Sequence, residues 1–149
     1  MTRTQDIAEI GKRSLTKHFF IMLASTALLH LVIVFRNNKL DLTSQIMLGA
    51  IALYYFWYNY SSREKLIRLR FGRLVAHVIG FLIINLSYHL HAFILFITNS
   101  ESIKGNSEFG INSNWFGALF GMTTFWGIGL LIHLIASIMN RGFEETGNG

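Results

Sequence analysis

The sequence predicts an all-α membrane protein with four transmembrane helices, arranged as two tandem helical hairpins in one bundle. Hydrophobic residues make up 52% of the 149 residues and charged residues only 14%, whereas soluble domains carry roughly 25% charge. The apolar residues also fall into four runs of about the length that crosses a bilayer. The chain has no cysteine, which excludes disulfides, thiolate metal sites and cysteine nucleophiles.

The first predicted hairpin covers residues 18–60 and follows a basic cytoplasmic leader at residues 1–17. Its first span, residues 18–35, is followed by polar and basic residues without a small-residue cleavage site, so we expect a retained helix rather than a signal peptide. Its second span, residues 45–60, has Asp41 among its N-cap candidates. This span ends in a dense group of aromatic residues, which is typical of a membrane interface.

The second predicted hairpin covers residues 61–140. Ser61 and Glu64 have the spacing of a capping box, which predicts a helix start, and the basic turns that follow should lead from the cytoplasmic headgroups into a span at residues 74–97. A polar external loop at residues 99–113 then connects to the last span, residues 114–136.

The end of the last helix is predicted at Arg141, with Gly142 as a C-cap. The remainder, residues 141–149, is expected to form a frayed cytoplasmic tail. Lysine and arginine are dense in the leader and between the middle spans and sparse elsewhere, which predicts a multi-pass protein of the cell inner membrane with both termini in the cytoplasm.

Five basic residues between the middle spans form the predicted cytoplasmic basic surface: Arg63, Lys65, Arg68, Arg70 and Arg73. Because this is where the positive-inside rule places cationic residues, and no recognition motif accompanies them, we expect no binding of nucleic acid. We expect the basic surface to contact anionic lipid of the bilayer or a cytoplasmic signalling partner.

The segment Trp126-Gly127-Ile128-Gly129-Leu130, followed by His133, resembles the close of the second helix in the bacterial two-transmembrane (2TM) domain family. The preceding basic segment and the apolar run around Asn85 are similar to the first helix of that family. The resemblance covers roughly residues 65–136. The loop between the two helices is longer here, and Arg73 stands about where the family tends to place a histidine. The resemblance implies a membrane module that acts as a sensor or an anchor.

The spacing of histidines indicates that the first hairpin is a diverged copy of the second. His18 and His30 are twelve residues apart, as are His77 and His89, and a leucine follows the second histidine of each pair. Duplication of this kind would give two hairpins of the same orientation, packed as a four-helix bundle.

All six histidines lie in or at the edges of the predicted spans, where ionisable residues are costly and mark functional hypotheses. They are predicted to form a cytoplasmic layer and an external layer: His18, His77 and His133 in the first, and His30, His89 and His91 in the second. Two imidazoles at equal depth on facing helices can ligate a b-type haem.

Helical phase bears on the haem hypothesis. His77 and His91 share a helix face, whereas His18 and His30 differ by roughly 120°, which disfavours a site for one haem in each layer. The candidate haem or metal ligands are therefore His77, His91 and His133. A single site at His133 is favoured by Gly129, which lies one turn earlier and leaves room for a porphyrin or a neighbouring helix. The alternative is that the histidines form hydrogen bonds between helices and bind no cofactor.

Gly117, Gly121 and Gly129 are the predicted helix-packing glycines of the last span. Gly117 and Gly121 share a face with Thr124 and Ile128, and small residues so spaced let another helix approach closely. The partner is either another helix of the same bundle, which we favour, or a second copy in a homo-oligomer.

These patterns predict a non-enzymatic protein: a small sensor, a subunit or an oligomerising membrane effector, a class that includes effectors of envelope stress and antiviral defence. The expected partner is the lipid bilayer, with a cytoplasmic protein or a second copy, and no cofactor is expected. The alternative is a membrane cytochrome that binds haem b through histidine. A third interpretation, an ion or proton pathway lined by the histidine layers, requires a water-filled bundle.

Overall fold

The computed structural model describes residues 3–69, 71–105 and 110–144. Its five helices are α1 (Arg3–Phe35), α2 (Leu42–Ser61), α3 (Arg63–Ile67), α4 (Gly72–Ile97) and α5 (Ser113–Glu144). In these three segments the only extended pairing is a single bridge between Lys104 and Ile111 in the loop before α5. The predicted all-α class is confirmed.

Within the described part of the chain, three helices are long and apolar enough to cross a membrane: residues Glu9–Phe35 of α1, Gly72–Ile97 of α4 and Ser113–Met139 of α5. The 20-residue α2 is not among them, because four tyrosines, Gln45 and Asn59 dilute its apolar residues. The structure therefore supports a membrane protein, while the prediction of four spans is not confirmed. The first helix is also longer than predicted, since it begins at Arg3 within the expected leader.

The long helices alternate in direction along the molecule. Near the start of α1, the Ser14 hydroxyl is 3.2 Å from the Tyr58 hydroxyl at the end of α2. At the other end of α1, His30 meets His91 near the end of α4. The helices α1 and α4 are therefore parallel neighbours, and α2 runs back alongside them.

The core lies between α1, α2 and α4, where Met22, Leu29, Ile51, Ile84 and Tyr88 are buried. The Cα atoms of α5 come within 8 Å of α4 and of no other described helix. In the apolar 18-residue stretch of α5, only 6% of the residues are buried inside the protein, against 39% in the corresponding stretch of α4. The last helix is thus attached to one edge of the bundle, and most of its surface faces outward.

The junction between α2 and α4 differs from the predicted continuous helix. Ser62 is the N-cap of the short α3 and its side chain makes no capping hydrogen bond, so the capping box of Ser61 and Glu64 is wrong. The chain leaves the helical path after Ile67, and Phe71 adopts a left-handed conformation with φ of 66°. At Gly72 a Cβ atom would collide with the carbonyl oxygen of Leu66, so glycine is required where α4 begins.

The predicted start of α2 and the predicted end of α5 have different outcomes. Asp41 is the N-cap of α2, and its carboxylate accepts a hydrogen bond from the Ser44 N–H at 3.2 Å. That hydrogen bond, aided by the Arg36 side chain, lowers the pKa of Asp41 below its usual value. The predicted C-cap at Gly142 is wrong, because α5 continues through it to Glu144. The rest of the predicted tail, residues 145–149, lies outside the described residues.

Candidate functional site

Two of the three histidines that the sequence analysis placed in the cytoplasmic layer meet directly. The imidazole rings of His77 on α4 and His133 on α5 stack with their centroids 3.5 Å apart and their planes inclined by 14°. His77 is 9% exposed, and its Nδ1 forms a hydrogen bond with the Tyr55 hydroxyl on α2. A chain of three side chains therefore joins three helices.

Beside this histidine pair, an apolar groove of about 670 Å³ lies between α2 and α5. Its floor includes Tyr55 and Trp126, whose rings pack edge to face with centroids 4.7 Å apart. The walls are mainly aliphatic and aromatic, and the polar groups that line it are few: Gln45, Tyr55, His77 and His133. The size falls within the roughly 300–1,000 Å³ range of ligand sites.

Close packing at the floor of the groove depends on Gly80. A Cβ atom there would lie 2.7 Å from Cε2 of Tyr55 and 3.5 Å from the Trp126 ring. The bare backbone of α4 thus lets Tyr55 from α2 and Trp126 from α5 meet over it. Sequence analysis missed this residue, although Gly72, Ala76 and Gly80 repeat at intervals of four, the small-residue spacing that permits close helix approach.

His18 belongs to the same end of the bundle but has a different partner. It is fully buried, its ring stacks on Tyr58 with centroids 3.9 Å apart, and its Nδ1 is 3.3 Å from the Tyr54 hydroxyl. Three of the aromatic residues that sequence analysis assigned to an interfacial belt, Tyr54, Tyr55 and Tyr58, thus serve as partners for histidines.

At the opposite end, His30 and His91 form a separate polar cluster. Their Nδ1 atoms are 2.9 Å apart, and His91 Nε2 is 3.0 Å from Oδ1 of Asn38. Because the amide oxygen only accepts, His91 Nε2–H donates to it and His91 Nδ1 accepts from His30. Trp115 Nε1–H donates to the Asn38 carbonyl at 3.1 Å, so the cluster ties α1, the first loop, α4 and α5 together.

These positions resolve the candidate ligands into two groups. His77 and His133 lie together in the groove wall, whereas His91 lies at the other end, where its two ring nitrogens have protein partners. His89 belongs to neither group, since its Nδ1–H donates to the carbonyl oxygen of Asn85 on its own helix at 2.8 Å. His18 and His30 point to different sides of α1, as their helical phase predicts: His18 faces α2 and His30 faces α4.

The predicted packing glycines all border open space. A Cβ atom at Gly117, Gly121 or Gly129 would meet no atom within 4 Å among the described residues. The internal role favoured for the Gly117 and Gly121 stripe therefore stays a prediction: both residues are exposed, although Gly117 lines a groove together with Leu48 of α2 and Tyr88 of α4. Gly129 borders the groove instead.

The basic surface lies around α3. Arg63, Lys65, Arg68 and Arg73 are all exposed, whereas Arg70 lies outside the described residues. The Arg63 guanidinium lies over the Tyr60 ring, 5.4 Å from its centroid. Tyr60 and the basic residues thus share one end of the molecule, as expected at a membrane interface.

Comparisons with known proteins add no family assignment. No family model, curated protein or solved structure matches the chain. The resemblance to the 2TM domain stays a prediction.

Proposed function

We propose that this chain is a non-enzymatic, oligomerising module of the bacterial inner membrane that acts as a small sensor or a subunit. The observation that carries the proposal is the placement of α5, whose backbone approaches that of α4 alone among the described helices and whose glycine stripe is exposed. Gly117 and Gly121 lie one turn apart and Thr124 and Ile128 continue their face. A second copy of this chain presents the same face, so the contact is self-complementary.

The arrangement of α1 and α4 supports a fourth crossing by α2. If these parallel neighbours both span the bilayer, the chain must return across it between them. The helix α2 is the segment that runs back, and its 20 residues measure about 30 Å at 1.5 Å per residue, the thickness of the hydrocarbon core. Its buried tyrosines then face other helices rather than lipid.

In this topology both termini and the basic surface share one side of the membrane, and the positive-inside rule favours the cytoplasm as that side. Exposed Arg63, Lys65 and Arg68 are available there to anionic lipid, with about 1 kcal/mol of attraction for each basic residue near the surface. A cytoplasmic partner with an acidic face would use the same residues. Sensing or effector activity, including a role in stress or antiviral defence, would follow from coupling this surface to the state of assembly.

The proposal is tested by the oligomeric state of the Gly121→Leu variant in lipid nanodiscs or native membranes. A Cβ atom at Gly121 would meet no described atom within 4 Å, so a leucine there should block close approach of a second α5 and leave the variant monomeric and folded. Phe120→Leu is the matched control, because Phe120 is 66% exposed on a different face. A monomeric wild-type protein, or an unchanged oligomer in Gly121→Leu, would refute the proposal.

A further inference from the structure

His133 is an imidazole that the fold holds in place without using its nitrogens. It is half-buried, and neither ring nitrogen has a hydrogen bond within residues 3–69, 71–105 and 110–144. Its only described ring contact is the stack on His77, which Tyr55 in turn orients. Proteins usually orient a metal-ligating imidazole through a hydrogen bond to its second ring nitrogen, whereas here the ring stack on His77 orients His133.

Stacking leaves the coordinating electrons of His133 available. The lone pair of a neutral imidazole nitrogen lies in the plane of the ring, whereas His77 covers one face of it. A metal can therefore approach His133 along the ring plane without breaking the stack. The same parallel stack rules out this pair as two ligands on opposite sides of one iron, because such ligands must have the metal between them.

The space beside His133 suits a large planar apolar ligand. The groove of about 670 Å³ has aromatic walls that include Phe56, Phe125 and Trp126. Gly49 and Gly129, which also line it, leave open space where any other residue would place a Cβ atom. Gly129 precedes His133 by four residues, so the open space lies on the same helix face as the imidazole.

A cation stands near one end of this groove. Arg73 is exposed and lies one turn before His77 on α4, which places it toward the end of the helix that carries the basic surface. A guanidinium there can bind a carboxylate in bidentate fashion. No aspartate or glutamate lines the described groove, so a negatively charged tail meets no repulsion from its walls.

The geometry points to a binding site for one b-type haem in the groove between α2 and α5, with His133 as an axial ligand and Arg73 pairing with a propionate. Haem is planar and largely apolar, takes an imidazole ligand on its iron, and carries carboxylates at one edge. The site goes beyond oligomerisation and is independent of it, since neither Gly117 nor Gly121 lines this groove. The His30–His91 pair lies at the other end of the bundle and outside this groove, and its two Nδ1 atoms are hydrogen-bonded to each other.

The test is absorption spectroscopy of the full chain purified from haem-replete cells, followed by titration of the haem-free protein with hemin. The wild type should show a Soret band and bind one hemin per chain. His133→Ala should weaken binding at least roughly 100-fold, since changes around a metal site cost 10–100-fold even outside the ligand set. Gly129→Leu, which fills the groove, should also weaken binding.

Two controls separate the site from general effects. His89→Ala removes an exposed histidine outside the groove and should keep the wild-type spectrum, and circular dichroism checks that each variant is folded. Gly121→Leu should bind hemin normally whatever its oligomeric state. A wild type without a Soret band on hemin titration, which would indicate a groove for lipid or quinone alone, overturns the inference. Equal affinity in wild type and His133→Ala overturns it as well.

Discussion

Replacing Gly80 by alanine should disrupt the point where α2, α4 and α5 meet. The new Cβ would lie 2.7 Å from Cε2 and 3.0 Å from Cδ2 of Tyr55, inside van der Waals contact. The ring cannot move away freely, because Tyr55 is 6% exposed, packs on Trp126 and binds His77. The substitution therefore forces a shift in the backbone of α4 or in the Tyr55–His77 contact.

The expected change in the free energy of unfolding is the sum of two opposing contributions. Overpacking a well-filled site costs about 1–3 kcal/mol, whereas replacing glycine by alanine inside a helix stabilises it by about 1 kcal/mol. Gly49→Ala supplies the matched control, since its Cβ would meet nothing within 4 Å and only the favourable term remains. The Gly80 variant should therefore be about 1–3 kcal/mol less stable than the Gly49 variant.

The assay is reversible unfolding in mixed micelles with increasing SDS, followed by tryptophan fluorescence. Comparing the two alanine variants cancels the helix-propensity term and leaves the packing term. Equal free energies of unfolding would show that Tyr55 does not press on Gly80, and the packing of the groove floor described here would be wrong.

Three further predictions concern other parts of the molecule. His91→Ala removes the partner of His30 and should cost about 1–3 kcal/mol of unfolding free energy, the penalty for a buried polar group left unpaired, whereas His89→Ala should cost less than 1 kcal/mol in the same assay. Asp41→Asn should abolish a pH-dependent contribution: the folded pKa lies below the unfolded one, so the charge stabilises above the unfolded pKa and this is lost as pH falls through the folded pKa. Melting temperatures of wild type and Asp41→Asn should thus converge on acidification. Reversing Arg68 and Arg70 to glutamate should increase the fraction of chains inserted with the C-terminus outside, measured by a C-terminal topology reporter.

Each of these has a clear contrary result. Equal destabilisation by the two histidine substitutions would remove the special role of the His30–His91 pair. A difference in melting temperature that stays constant from neutral to acid pH would mean that ionisation of Asp41 does not stabilise α2. An unchanged reporter signal would show that the basic surface does not set the orientation.

Much of the helical framework was predictable because each long helix is a continuous apolar run, and the N-cap at Asp41 follows from local chemistry. The break between α3 and α4 was not predictable, since it depends on a left-handed Phe71 within residues that have no proline. The end of α5 was also predicted wrongly, at Gly142. A glycine near a helix terminus ends the helix only where the following residues turn away from the helix axis.

The candidate site, like the fold, was predictable only in part. Periodicity placed His77 and His133 in one layer and Gly129 one turn before His133. Periodicity did not identify Tyr55 as a residue of the site, because an aromatic-rich helix end is equally consistent with an interfacial belt and with buried partners for histidines. The direction in which Gly117 and Gly121 face likewise depends on which side of α5 meets α4, and that is a tertiary property.

The most direct test of the central claim, that copies of this chain associate through the exposed glycine face of α5, is disulfide cross-linking in native membranes. The chain has no cysteine, so Gly121→Cys and Phe120→Cys each carry one thiol, at adjacent positions about 100° apart around the helix. The account predicts rapid formation of a covalent dimer by Gly121→Cys and little by Phe120→Cys. Equal cross-linking of the two, or none at Gly121, would contradict it.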